Sequence, residues 1–64
     1  MTKLNPYRKY MICYKKANGF EGIIHNITHV SIAGDVIHYH MNGVPRCIFE
    51  SDYKEVTIFE EDNK

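Results

Sequence analysis

Apolar and polar residues alternate along most of this chain, and the alternation is broken three times by two-residue turn signals. Val36-Ile37-His38-Tyr39-His40-Met41 and Val56-Thr57-Ile58 carry the period of two that a half-buried strand requires. The breaks fall at Asn18-Gly19, Gly34-Asp35 and Asn42-Gly43. Asn-Gly suits a type I′ hairpin turn and Gly-Asp a type II′ turn, because these residues accept positive φ cheaply. The pattern predicts an antiparallel meander with strands at residues 7–16, 20–33, 36–41, 44–49 and 55–59. Asn5-Pro6 discourages both helix and ladder, so residues 1–6 read as a frayed lead-in. Residues 60–64 read as an acidic tail. Ser51-Asp52-Tyr53-Lys54-Glu55 has a capping residue but no apolar stripe behind it, which predicts a short helical turn before the last strand.

The second predicted strand is too long to be straight. Fourteen extended residues would reach roughly 46 Å, whereas a domain of this length is just under about 30 Å across. Its apolar phase also slips, from Ile23 and Ile27 to Val30 and Ile32. A β-bulge near Thr28-His29 would bend the strand and produce that slip. A long bent strand, two short hairpin strands, a helical turn and a closing strand describe an all-β, five-stranded antiparallel small barrel, one domain over residues 1–64. The expected core is Ile12, Ile23, Ile27, Val30, Ile32, Ile37, Tyr39, Ile48, Val56 and Ile58.

That order resembles the Src-homology-3-like and Sm-like small barrels. The residues that carry the resemblance are Gly22-Ile23-Ile24 entering the bent strand, the Asn42-Gly43 turn, and Ser51-Asp52-Tyr53 before Val56-Thr57-Ile58. Asn18-Gly19-Phe20-Glu21-Gly22 is loosely similar to the first Sm motif. The lysine-histidine pair and the N-terminal helix of RNA-binding bacterial Sm-like proteins are missing, and so is the aromatic ligand set of peptide-binding Src-homology domains. The resemblance therefore implies a fold and no activity.

The turns also set register. With Gly34-Asp35 as a two-residue loop, Ile32 faces Ile37, Val30 faces Tyr39 and His29 faces His40. With Asn42-Gly43 as the loop, Ile37 faces Ile48, His38 faces Cys47 and Val36 pairs with Phe49. His29, His38, His40 and Cys47 then share one face, with side chains about 5 Å apart at Cβ. Imidazole and thiolate are zinc ligands, so this set is a candidate metal site. The plainer reading is a surface that contacts a partner protein through His29, His38, His40, Cys47 and Phe49. Crowded imidazoles would make such a face sensitive to mildly acidic pH.

Charge adds one alternative. The chain has 8 basic and 8 acidic residues and a formal net charge of +0, which argues against binding nucleic acid by bulk charge. The charges are segregated, with Lys3, Arg8, Lys9, Lys15 and Lys16 early and most carboxylates after Glu50. Neighbouring first and last strands would neutralise each other. Otherwise Tyr7, Arg8, Lys9, Tyr10, Lys15 and Lys16 could bind single-stranded nucleic acid by stacking and charge. Glu21 is expected opposite Lys16.

No nucleophile elbow, phosphate loop, carboxylate pair or zinc-protease motif is present, so no enzyme activity and no cofactor are expected. A barrel this small is also expected to offer little volume for a water-excluding pocket of about 300 Å³ or more. No secretory leader and no stretch of roughly 18 apolar residues occurs, which predicts a cytoplasmic protein with reduced thiols and no membrane contact. What remains is a small stand-alone protein-binding module with a larger protein as partner. A second copy of the chain joined at an edge strand is also possible. A short lone β-domain with scattered tyrosines resembles the accessory proteins of phages and mobile elements, which implies a regulator or inhibitor of a host protein.

Overall fold

In a computed structural model, residues 1–61 are described. They form β1 (Thr2–Lys3), β2 (Tyr10–Lys15), β3 (Glu21–Ala33), β4 (Val36–Met41), β5 (Val44–Phe49), a 3₁₀ turn (Glu50–Asp52) and β6 (Glu55–Glu60). Every pairing is antiparallel, in a single six-stranded sheet of order β5-β4-β3-β2-β6, with β1 beside β3. A short helical turn does precede the last strand, but at Glu50–Asp52, earlier than the expected Ser51–Glu55, and it begins after Phe49 with no side-chain cap. Two expectations are corrected. There are six strands, and the sheet is not closed: among the described residues no ladder joins β5 to β6. The 3₁₀ turn between them is anchored instead on the β3–β4 turn, where the carbonyl of Asp35 accepts from Glu50 N at 2.8 Å and its carboxylate from Ser51 N at 2.9 Å and Ser51 Oγ at 2.7 Å.

The extra strand comes from the expected lead-in. Pro6 does break the ladder, and Asn5 closes a turn there, its Oδ1 accepting from Tyr7 N at 2.9 Å and its carbonyl from Arg8 N at 3.2 Å. Upstream of that turn nothing forbids pairing. Thr2 sits opposite Ile32, Lys3 opposite Ser31, and Leu4 N donates to Val30 O at 2.9 Å. The strand after the turn starts at Tyr10 rather than at residue 7. At the other end Glu60 closes β6 and Glu61 is hydrogen-bonded, so the acidic tail shrinks to residues 62–64, which lie outside the described residues.

Two of the three turns hold as read. Gly34 alone has positive φ in its turn (+60°), the mark of type II′, and Asn42 (+52°) and Gly43 (+77°) both do, the mark of type I′. Every pairing of β4 with β5 follows. Asn18-Gly19 differs. Lys16 pairs with Phe20 through Lys16 N donating to Phe20 O at 2.7 Å, leaving a three-residue loop that ends on Gly19 at φ +91°. The asparagine side chain favours this loop by accepting Phe20 N at 3.0 Å. Glu21 consequently faces Lys15, not Lys16.

β3 bends at two bulges. One lies between Thr28 and Ser31, where the phase slip placed it, with His29 at φ +54°. The other sits at His25-Asn26, opposite Met11, with Asn26 at φ +55°. Glu61 supports the second by accepting Asn26 N at 2.9 Å, with His25 Nδ1 at 3.3 Å. That bulge inverts the phase upstream of it. Ile23, expected in the core, is 53% exposed, and Ile24 packs inward instead.

The concave side holds buried Tyr10, Ile12, Ile27, Val30, Ile37 and Tyr39, with Leu4, Ile24, Ile32, Met41, Ile48, Val56 and Ile58 packed around them. Each fully buried aliphatic side chain there contributes about 1.5–3 kcal/mol. The molecule measures 33 × 27 × 18 Å, so the bend does keep β3 within a compact body. Among the described residues no helix is long and apolar enough to cross a membrane.

Candidate functional site

The convex side of β3, β4 and β5 is where the sequence-derived partner residues gather. The type I′ turn makes Met41 and Val44 a hydrogen-bonded pair, and the alternation of an antiparallel ladder then fixes the rest. Val36–Phe49, His38–Cys47 and His40–Pro45 are all non-hydrogen-bonded pairs, the kind whose side chains approach most closely. Pro45, with no N–H to give, therefore costs the ladder nothing. Phe49 is 47% exposed, and Cys47 and His38 are exposed beside it.

His29 joins this face by a different route from the one expected. Thr28, not His29, lies opposite His40, because His29 is in the bulge. The left-handed backbone swings its ring back over the sheet. It stacks on His40 with centroids 4.7 Å apart and planes 27° apart, and its Nδ1 is 3.0 Å from Thr28 Oγ1. All five residues thus share one face, as two units: a stacked histidine pair, and a histidine–cysteine pair next to the Val36–Phe49 apolar pair. Among the described residues no three His, Cys, Asp or Glu side chains converge at a spacing that would hold a metal ion. Stacked rings direct their nitrogen lone pairs along nearly parallel planes rather than at one point, so the histidine pair is not a preformed chelate.

Sequence reasoning missed one part of this surface. Pairing of β1 extends the row of His38 and Cys47 through Ser31 to Lys3. A groove of ≈ 390 Å³ opens beside the bulge, lined by Lys3, Leu4, Pro6, His29, Val30 and Ser31. It is an open groove and not a water-excluding pocket. A two-residue strand leaves no periodic signal, so neither β1 nor the groove was legible in the sequence.

The alternative nucleic-acid set is dispersed. Tyr10 is buried, 8% exposed. Lys15 is flanked across the sheet by Glu21 on one side and Glu55 on the other. Lys16 lies over the Phe20 ring, 5.7 Å from its centroid, at the far end of β2 from Tyr7, Arg8 and Lys9. The early bases and late acids do become neighbours, through the β2–β6 ladder and an exposed Arg8–Glu60 contact at 4.0 Å.

Two other side chains mark the two faces of the sheet. Arg46 is opposite Tyr39 and exposed. Burial pushes the Tyr39 phenol up from its ordinary range, and the Arg46 charge partly offsets this. Cys13 is half-buried, on the convex side between Ile23 and Thr57, and both thiols are free. A shallow cleft of ≈ 180 Å³ lies next to Cys13, walled by Lys15, Glu21 and Glu55.

The architecture defines a small all-β protein with an open, bent antiparallel sheet. No family model matches the chain, and no curated protein or solved structure shows a significant match to it.

Proposed function

We propose that this chain is a small, non-enzymatic protein-binding module of the cytoplasm, of the kind by which phages and mobile elements regulate or inhibit a larger host protein. Its docking surface is the convex face of β3, β4 and β5. The observation that carries this reading is the Val36–Phe49 pair, apolar and with Phe49 nearly half exposed, beside the His38–Cys47 and His29–His40 pairs. An aromatic anchor ringed by side chains that can donate or accept hydrogen bonds is the composition of a protein interface core. The bent β3, the 3₁₀ turn and the terminal β6 against β2 support a Src-homology-3-like small barrel whose wall is left open between β5 and β6.

The test is affinity capture from the native host with His40→Glu and Phe49→Asp variants, each checked for folding by circular dichroism. A specific protein that the parent captures and both variants lose supports the reading. Equal capture by the variants, or recovery of nucleic acid alone, overturns it. Exposed Tyr7 (94%) beside Arg8 and Lys9 keeps a second reading, a single-strand contact at that turn. Binding to oligonucleotides that weakens steeply with salt and is lost in a Tyr7→Ala, Lys9→Glu variant is its signature.

A further inference from the structure

The convex face of β1, the C-terminal half of β3, β4 and β5 carries a charge that nothing on it offsets. By register its side chains include Lys3, His29, His38 and His40 and no carboxylate. The acids next to it in sequence, Asp35 and Glu50, lie beyond the Val36–Phe49 row, at the end away from Lys3. Asp35 there has both carboxylate oxygens on Ser51, at 2.9 and 2.7 Å. Lys3 is exposed and takes part in neither ion contact found among the described residues, Arg8–Glu60 and His25–Glu61. The other half of the sheet is balanced, with Lys15 between Glu21 and Glu55. A chain of formal net charge +0 thus keeps its acids off this one face.

The groove of ≈ 390 Å³ opens where that charge sits. Leu4 and Pro6 supply an apolar wall, and Lys3, His29 and Ser31 supply an ammonium, an imidazole and a hydroxyl. The His29 ring is fixed by its stack on His40 and by Thr28 Oγ1, 3.0 Å from Nδ1, which leaves Nε2 without a partner among the described residues. The volume is at the low end of the roughly 300–1,000 Å³ of ligand clefts, room for side chains of a short extended segment and not for a folded element. A cationic rim on an apolar hollow complements an apolar side chain that stands beside a carboxylate. A nucleic acid fits less well. The one aromatic ring in the lining is already stacked on His40, so no free platform is set out for successive bases.

We propose that this groove takes an acidic segment of the partner protein, one apolar side chain of the segment lying on the Leu4–Pro6 wall and a neighbouring carboxylate accepting from Lys3 Nζ and His29 Nε2. The inference rests on the reading that a protein docks on this face, and it adds the chemistry of what docks. The row Lys3–Ser31–His38–Cys47 runs from the groove across the sheet, so a segment seated at Lys3 continues over side chains that donate hydrogen bonds. Phe49 lies on the same face, two residues from Cys47, as the apolar contact at the other end. A partner with basic residues at these positions would meet Lys3 unscreened by any acid, so the same charge that admits an acidic segment rejects a basic one.

Fluorescence anisotropy of a labelled synthetic peptide that alternates leucine with aspartate, titrated with the full chain at low salt, tests it. The parent should bind, and Lys3→Glu should weaken binding by about threefold to tenfold. His29→Gly should weaken it as well: glycine suits φ +54° and keeps the bend in β3, but removes one wall and Nε2. Circular dichroism verifies that both variants fold. Peptides with asparagine for aspartate, or alanine for leucine, should each bind more weakly than the original. Backbone amide shifts on binding should centre on Lys3, Leu4 and Ser31. No binding by the parent, equal binding of the asparagine peptide, or shifts confined to other residues overturns the proposal. Displacement of the peptide by an equal concentration of oligothymidylate assigns the cationic groove to phosphate and overturns it too. The docking reading is scored separately. A host protein lost by Phe49→Asp and His40→Glu but still captured by Lys3→Glu leaves the face standing and removes the groove from it.

Discussion

Gly22 is glycine for reasons of space, and an added methyl measures that space. It lies in β3 directly opposite Tyr14 of β2. Its φ is not positive, so no conformational need excludes another residue. A Cβ there would overlap the hydroxyl and the ring of Tyr14. The ring cannot swing freely, because it rests against Tyr53 with centroids 4.9 Å apart and planes at 57°. Gly22→Ala must therefore push Tyr14 off Tyr53 or move β2 and β3 apart. Overpacking of this kind costs roughly 1–3 kcal/mol, and the stiffer alanine backbone returns about 0.5–1 kcal/mol within a strand. The net loss is about 1–2 kcal/mol, a large share of the roughly 3–9 kcal/mol expected for a domain of this length. Urea unfolding followed by far-ultraviolet circular dichroism measures it, and the thermal midpoint should fall by about 4–16 °C. The decisive comparison is Gly22→Ala in a Tyr14→Ala background. With the ring gone the methyl has room, so the same change becomes neutral or slightly stabilising. An equal loss in both backgrounds refutes the steric argument and leaves backbone flexibility as the reason for the glycine.

Two further outcomes follow from single side chains. Asp35→Ala removes both side-chain acceptors that hold Ser51, at 2.9 and 2.7 Å, and should cost about 1–2 kcal/mol in urea unfolding, with Asp35→Asn costing less because one acceptor is kept. Tyr39 has its pKa raised above 10.0, by burial first and with Arg46 partly opposing, so the folded chain retains the phenolic proton that the unfolded chain loses. Stability from this group is full below about pH 10 and falls as pH rises above it. The denaturation midpoint of the parent should drop between about pH 9 and pH 11 by more than that of Tyr39→Phe, and equal drops would contradict the assignment.

What the sequence revealed and what it hid divide along a physical line. Features set by one or two residues were legible. Gly34 and Asn42-Gly43 specify their turns through φ alone, so the β4–β5 register follows pair by pair. The bulge near Thr28-His29 was legible because burial of Val30 and Ile32 on the same side as Ile27 demands an extra residue. Features set by a side chain from a distant part of the chain were not. The Asn18-Gly19 loop is a separate, local case: Asn-Gly fits both a two- and a three-residue loop, and the bond from Phe20 N to Asn18 Oδ1 favours the longer one, which moved Glu21 from Lys16 to Lys15. The bulge at His25-Asn26 depends on Glu61, 35 residues from Asn26, and without it Ile23 reads as core. β1 has only two residues, fewer than any periodicity can register. Closure, finally, is a property of the whole sheet: a bent strand is needed for a barrel but does not oblige β5 to meet β6.

The bend and the candidate face turn out to be one feature. A bulge takes a residue out of the ladder, and His29 accordingly lost the place directly opposite His40 that the turn register assigned to it. The residue at the bulge adopts φ +54°, a conformation costing of order 1 kcal/mol or more for a residue with a Cβ, and histidine is among the few side chains found there with any frequency. The return is local: the ring, released from the strand's alternation, stacks on His40 and meets Thr28 Oγ1. The same displacement opens the groove between His29 and the Lys3–Leu4 strand. A glycine at this position would satisfy the backbone more cheaply and would still bend β3, but it would leave His40 without its stack and the groove without one wall. Histidine at a positive φ, where glycine would serve the backbone more cheaply, is a local observation that favours the contact reading proposed above for this face.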